Sequence, residues 1–166
     1  MESHPDIEGL VFRQRLARPG RGELWRAEQT ALERDVLVAV FGAEMGENPE
    51  GDRRFAVIRA LAQIKSILVP EVIDVLRTPE AACVVLEDPH AQGIVELLAG
   101  RRLDAGQIVR LAMRLTEGLA ELHGAGMFYA GLCPRALYVS EDSEPVLPDV
   151  SLARFEPGRG ANPPDW

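Results

Sequence analysis

The chain has 166 residues, of which 46% are hydrophobic and 27% are charged, and its formal net charge is −8. This apolar content can form a folded core and excludes a mainly disordered chain, while the acidic balance excludes a nucleic-acid partner, which would need a clustered basic surface. The first eight residues are polar and no apolar stretch reaches membrane-spanning length. We therefore expect a cytoplasmic protein with no membrane partner.

The first half of the chain predicts a five-stranded antiparallel sheet with one inserted helix. Residues 1–8 form a polar tail, and the sheet and helix occupy residues 9–88. Strands are predicted from alternating or β-branched runs, and the helix from apolar residues at helical spacing. The predicted strands are 10–16, 23–29, 36–41, 71–76 and 82–87, and the predicted helix is 53–65.

The second half, residues 89–155, is predicted to be mainly helical. A short helix at 94–98 precedes a long helix that begins after the N-cap residue Asp104. Short extended segments follow at 136–139 and 145–147, and residues 156–166 form a tail rich in Pro and Gly. The long helix carries an apolar stripe that includes Ile108, Leu111, Leu115 and Leu119.

Three stretches of the second half, LHGAGM at 122–127, LCPRALYV at 132–139 and DVSLAR at 149–154, resemble segments of protein kinases in the same order and at similar spacing. The resemblance covers about residues 8–155 and is to the bacterial Ser/Thr type. It implies an α+β, kinase-like fold. The five-stranded sheet and its helix would be the small lobe, and a partial, mainly helical large lobe would follow.

The resemblance also implies a glycine-rich phosphate loop, whose three glycine positions fall on Ala17, Pro19 and Gly22. Such a loop works because backbone N–H groups approach the phosphates closely. Proline has no N–H, and alanine adds a side chain at the point of approach. Gly20 and Gly22 are therefore vestiges of a cofactor loop, or parts of an ordinary hairpin turn.

The kinase lysine that grips the phosphates corresponds to Phe41, and its glutamate partner corresponds to Val57. Loss of one partner would leave a buried charge unpaired at a cost of roughly 3–5 kcal/mol. Because both partners are apolar here, the two side chains can pack together instead. The pair predicts a site rebuilt as hydrophobic core.

The kinase catalytic loop is equally altered. The resemblance places its His-Arg-Asp triplet on Tyr129, Ala130 and Gly131, and its metal-binding asparagine on Ala136. General-base assistance is worth about 10²–10⁴-fold in rate, and the base is absent. Asp149 alone matches the metal-binding triplet, and it is either a weak metal ligand or a solvated or helix-capping residue. No catalytic residue, metal or cofactor is expected.

These replacements predict a catalytically inactive kinase-like domain, a pseudokinase, that acts as a protein-binding scaffold or allosteric regulator. Its partner, a protein or a second copy, would bind the uncovered stripe of the long helix. The alternative is an unconventional nucleotide-binding or phosphotransfer enzyme that uses Asp149 with Arg18 or Arg21, since arginine can clamp phosphate. The chain could also be a fragment of a longer protein.

Overall fold

The computed structural model describes residues 4–16, 22–42 and 49–155, apart from the side chains of residues 49 and 50. The predicted turn at 19–22, apart from Gly22, and the predicted tail at 156–166 lie outside these residues. So do the phosphate-loop positions Ala17, Pro19 and Gly20 and the two candidate arginines Arg18 and Arg21.

A five-stranded antiparallel sheet forms the first half of the molecule, as the sequence predicts. The strand order is β1-β2-β3-β5-β4, and every neighbouring pair is antiparallel. The continuous apolar run at 36–41 makes β3 the central strand, buried on both faces. The strands are β1 (Leu10–Leu16), β2 (Glu23–Gln29), β3 (Arg34–Gly42), β4 (Val72–Arg77) and β5 (Ala81–Glu87).

Helix α1 (Pro49–Leu61) is inserted between β3 and β4. It begins and ends four residues earlier than the apolar spacing predicts. Proline suits the first helical position, because its missing N–H would have no partner in the helix and its φ is already set. Beyond Leu61 the chain turns, with Gln63 N–H bonded to Ala60 C=O and Ile64 N–H bonded to Leu61 C=O.

The second half contains two helices and several very short strands. Helix α3 begins after Asp104, which forms a reciprocal capping box with Gln107, so the predicted N-cap is confirmed. The predicted strand at 136–139 is wrong in its first half, because Ala136 ends a 3-10 turn. The elements are β6 (Gln92–Gly93), α2 (Ile94–Gly100), α3 (Ala105–Gly124), β7 (Met127–Tyr129), β8 (Tyr138–Val139), β9 (Pro145–Val146) and β10 (Ala153–Phe155), with 3-10 turns at Pro134–Ala136 and Val150–Leu152.

Two small sheets tie the second half together. Strand β7 pairs with β10, and β8 lies between β6 and β9, all antiparallel. A single buried cluster runs from the inner face of the five-stranded sheet through α1 to this half. It includes Leu24, Ala39, Phe55, Ile58, Leu122, Met127 and Leu147. The two halves therefore share one core.

The apolar stripe of α3 is largely covered, contrary to expectation. Leu111 is only 9% exposed and packs with Ile94 and Val139, while Leu115 and Leu119 are half-buried against the main core. The predicted uncovered stripe is therefore wrong for Leu111 and only partly right for Leu115 and Leu119. Ile108, at 54% exposure, is the one member that faces solvent openly.

The loop between α1 and β4 supplies much of this cover. Leu68 is fully buried and lies directly against Gly118 of α3. The main-chain N–H of Leu147 donates to the Leu68 carbonyl at 2.7 Å.

Among the described helices, none combines the length and apolar content that crossing a lipid bilayer would require.

Candidate functional site

Phe41 and Val57 occupy the region where the sequence predicts a rebuilt ion-pair site. Phe41, on β3, is 4% exposed and Val57, on α1, is 7% exposed. Both belong to the main core cluster, together with Val150 and Ala153 of the second half. The ion-pair positions are therefore part of the apolar contact between the two halves.

Little space remains between these side chains. The cavity at this point has a volume of about 10 Å³, roughly the minimum for one water molecule. It cannot hold a phosphate group. Its walls are Phe41, Arg54, Val57, Ile58, Val150, Ser151, Ala153 and Arg154.

Asp149, the one residue that matches a kinase metal ligand, is 1% exposed. Its Oδ1 atom accepts hydrogen bonds from the Ser151 main-chain N–H at 3.2 Å and from the Ser151 hydroxyl at 2.6 Å. Asp149 is thus the N-cap of the 3-10 turn Val150–Leu152. The capping interpretation is confirmed, and the solvated one is wrong.

Tyr129 has a structural role that the sequence did not reveal. Its buried hydroxyl donates a hydrogen bond of 2.9 Å to the main-chain carbonyl of Asp149. The Ala130 N–H donates to the Leu152 carbonyl at 2.7 Å. These bonds fasten β7 to the segment that carries Asp149. A tyrosine beside two small residues was the only hint in the sequence.

Gly131, where the sequence analysis placed the catalytic aspartate of kinases, has a φ of +89°, which lies in a region that L-residues rarely adopt. An aspartate would be strained there. Ala136 is 1% exposed and packs in the main core. Neither residue has a side chain that could bind metal or activate a hydroxyl group.

The linker after β5 is held by a charged clasp. Arg26 of β2 donates through Nε to Asp88 at 2.5 Å and through Nη2 to the Ala91 carbonyl at 3.2 Å. The Asp88 carboxylate, itself buried, also accepts from the His90 N–H at 2.8 Å. Pro89 has no N–H to offer. These linker groups are therefore engaged within the protein.

A second contact between the halves involves Tyr138 of β8. It is buried with Ala91 and Val146, and Leu16 at the end of β1 packs against this group. The first strand of the sheet therefore reaches the second half directly. No local pattern predicts this contact, because β8 is only two residues long.

Two larger cavities border the linker. One, of about 510 Å³, is an open cleft beside α2 that includes His90, Glu96 and Arg101. The other, of about 450 Å³, follows the loop from Ala62 to Glu71. Within the described ranges, no three His, Cys, Asp or Glu side chains are grouped closely enough to hold a metal ion.

The chain has relatives among bacterial kinases. It is 27% identical over 159 residues to the serine/threonine-protein kinase pkn2 of Myxococcus xanthus. The matched region is 91% of this chain and 19% of that protein. The chain is 24% identical over 150 residues to the serine/threonine-protein kinase PknK of Mycobacterium tuberculosis. The matched region is 87% of this chain and 13% of that protein. These relatives support a kinase-like relationship.

The chain spans less than a quarter of the length of either relative. No family model matches it. The mixed α/β architecture, with its five-stranded antiparallel sheet, is compatible with a kinase small lobe.

Proposed function

We propose that this chain is a catalytically inactive kinase-like domain that works by binding another protein, as a scaffold or an allosteric regulator. The observation that carries the proposal is the cavity of about 10 Å³ among Phe41, Val57 and Val150. Phe41, Val57 and Val150 leave no space there for a phosphate group, and the two arginines that also line the cavity, Arg54 and Arg154, border a volume that holds at most one water molecule.

The energetics of this region oppose phosphate binding. A triphosphate carries several negative charges, and moving even one charge into an apolar interior costs several kcal/mol unless it is paired. Phe41 and Val57 have no group that could pair with it, and of the two arginines that line the cavity, Arg154 already donates to the Ser151 and Ala153 carbonyls. The Asp149 carboxylate would add repulsion unless metal ions intervened, and its Oδ1 atom already accepts two bonds from Ser151.

The linker gives independent support. A base that docked beside it would need backbone donors and acceptors, but Pro89 has no N–H and the His90 N–H is bonded to Asp88. The Ala91 carbonyl already accepts from Arg26. A purine that used both groups would have to replace the hydrogen bond between the His90 N–H and Asp88 and to share the Ala91 carbonyl with Arg26.

A protein-binding role is favoured by the exposed apolar side chains of α3. Ile108, Val109 and Met113 are each more than half exposed. Contiguous exposed apolar surface of several hundred Å² often marks an interaction site. We also place the domain in the cytoplasm as part of this proposal, with no nucleic-acid or membrane partner.

A thermal-shift titration with ATP and Mg²⁺ or Mn²⁺ tests the proposal. We expect no change in melting temperature at millimolar nucleotide. A ligand present at 100 times its Kd would stabilise the fold by about 2.7 kcal/mol, which is a shift of several degrees. A shift of that size in this chain, abolished by Asp149→Asn, would favour the alternative enzyme that uses Asp149 with Arg18 or Arg21.

A further inference from the structure

One exposed side of α3, from residue 105 to residue 120, consists of apolar residues and one threonine, and His123 follows on the same side at the end of the helix. We call the side from 105 to 120 the outward face. Its large members Ile108, Val109 and Met113 are 54%, 56% and 57% exposed. The remaining members are small, and all are exposed: Ala105, Ala112, Thr116 and Ala120. These positions recur at spacings of three, four and seven, so they share one side of the helix.

The hydroxyl of Thr116 is satisfied within the helix. The Thr116 hydroxyl donates to the Ala112 carbonyl at 2.7 Å, which leaves the threonine methyl group as its outer surface. The small residues at 112, 116 and 120 are four positions apart, so they form one row along the helix beside the larger Met113. A row of small side chains lets a second helix approach closely.

The charges beside the outward face have an ordered arrangement. Arg110 and Arg114 lie in the first half of α3, and Glu117 and Glu121 lie in the second half. All four occupy one flank, because they are spaced at three and four residues. Arg110 and Glu121 are equally far from the midpoint between residues 115 and 116, and so are Arg114 and Glu117.

This arrangement is self-complementary in one orientation. When two identical helices pack antiparallel about a two-fold axis at that midpoint, the charged flank of each meets the same flank of the other. Arg110 then faces the Glu121 of the other copy, and Arg114 faces its Glu117. In parallel packing the charged flank would meet the opposite side of the partner helix, which the domain's own core covers.

The geometry points to a second copy of this chain as the occupant of the outward face, packed as an antiparallel, two-fold symmetric helix pair. This inference rests on the proposed protein-binding function and specifies its partner. The apolar face supplies the contact and the flank selects the orientation. Because a 20-residue helix is about 30 Å long, the interface is small, and we expect dissociation in the micromolar range or weaker.

Arg114 already pairs within the chain with Glu117 at 3.0 Å and with Glu144 at 2.7 Å. Its contribution across the dimer would be shared with these partners. The better probes of orientation are therefore Arg110 and Glu121. The Glu121 carboxylate lies 3.5 Å from the Ile67 N–H, a weak contact that its substitution can forgo.

Sedimentation velocity over a range of chain concentrations up to millimolar tests the contact. We expect a monomer–dimer equilibrium for the natural sequence and a tenfold or larger weakening for Met113→Glu. Leu98→Glu is the matched control, because Leu98 of α2 is also apolar and 48% exposed but lies outside the outward face. Equal melting temperatures would show that both variants are folded. A monomer at every concentration overturns the inference.

A charge exchange tests the orientation. Arg110→Glu and Glu121→Arg should each weaken self-association, because each places like charges opposite one another. A mixture of the two variants should dimerise again, since both contacts become complementary. No recovery in the mixture overturns the antiparallel arrangement.

These outcomes are separable from those of the nucleotide titration. A monomeric chain that binds no ATP would remove this inference and leave the proposed function standing with a different partner. A dimer that binds ATP and magnesium would remove the inactive-domain proposal and leave the helix pairing intact.

Discussion

The hydroxyl of Tyr129 and the main-chain carbonyl of Asp149 are joined by a buried hydrogen bond of 2.9 Å. The two residues lie twenty positions apart in the sequence. Tyr129 is the last residue of β7, and Asp149 comes shortly before β10, which pairs with β7. This bond, together with the pairing of β7 and β10, fixes the two segments to one another.

Tyr129→Phe should lower the free energy of unfolding by about 0.5–1.5 kcal/mol, because the Asp149 carbonyl loses this donor but still accepts from the Leu152 N–H at 3.0 Å. Urea denaturation followed by circular dichroism measures the loss. Phe128→Tyr is a useful control, since Phe128 is half-buried in the same strand and the added hydroxyl can reach solvent. An unchanged midpoint for Tyr129→Phe would show that the bond contributes nothing to stability.

Gly118→Ala should destabilise the fold by about 1–3 kcal/mol. A Cβ atom at Gly118 would meet the Leu68 Cγ atom at 2.3 Å, and Leu68 is fully buried, so it has no room to move. The matched control is Gly124→Ala at the end of the same helix, where a Cβ meets nothing within 4 Å. That change should be neutral or stabilising by up to about 1 kcal/mol. Thermal melts of both variants test this prediction, and similar melting temperatures would contradict the close contact between Gly118 and Leu68.

The long elements of this fold could be predicted from the sequence because each has a local signature. β3 is a continuous β-branched run, and α3 has an N-cap aspartate with a glutamine three residues on. The strands β6 to β10 have two or three residues each. Their pairing depends on segments that are distant in the sequence, so no local pattern predicts these strands.

In the candidate site, too, some features could be predicted from the sequence and others could not. The apolar replacements at Phe41 and Val57 were visible, because residue type alone shows that an ion pair is absent. The clasp between Arg26 and Asp88 was not, because its members are 62 residues apart and a charged side chain gives no indication of its partner. The cover over Leu111 was also missed, since periodicity identifies the apolar side of a helix but not what packs against it.

Arg26→Met should destabilise the fold by about 1–3 kcal/mol, because it leaves the Asp88 carboxylate buried with fewer donors. This loss of stability is smaller than that expected on breaking a fully buried ion pair, because the Arg26 side chain is 24% exposed and water partly screens its charge. The double variant Arg26→Met with Asp88→Asn should lose less than the sum of the single losses. A double-mutant cycle by urea denaturation measures the coupling, and strictly additive losses would show that the clasp does not contribute.

The two cysteines should react differently with a thiol reagent. Burial raises the pKa of the Cys83 thiol from 9.0 to about 11, so at pH 8 it remains protonated and unreactive in the folded state. Cys133 is only half-buried. We expect one thiol to react in the native protein and two after denaturation, and Cys133→Ser should remove the native reaction. Fast reaction of both thiols in the folded chain would contradict the burial of Cys83.

The same thiol gives a pH dependence. Because its pKa is raised in the folded state, the unfolded state releases the proton first as the pH rises. Its contribution to stability is therefore complete below pH 9 and is lost progressively between pH 9 and about 11. Cys83→Ala should flatten this part of the stability profile, which urea denaturation at several pH values would reveal.

Phe41→Lys tests whether the former ion-pair site now functions as core. The new ammonium group would be buried beside Val57 without a partner, so we expect a loss of roughly 3–5 kcal/mol. Phe41→Leu, which keeps an apolar side chain, should cost about 1–2 kcal/mol and is the control for lost volume. Val57→Glu alone should be similarly destabilising. Combined with Phe41→Lys it should recover about 1–3 kcal/mol, because the two charges can pair.

The combined variant should still show no thermal shift with ATP and magnesium. Restoring the ion pair does not reopen the linker, where Arg26 and His90 remain bonded to Asp88, and it does not supply a base at Gly131. Losses that simply add in the double-mutant cycle would show that residues 41 and 57 are not in contact. Nucleotide binding by the combined variant would show that the missing charges alone, and not the closed contact between the two halves, exclude the ligand.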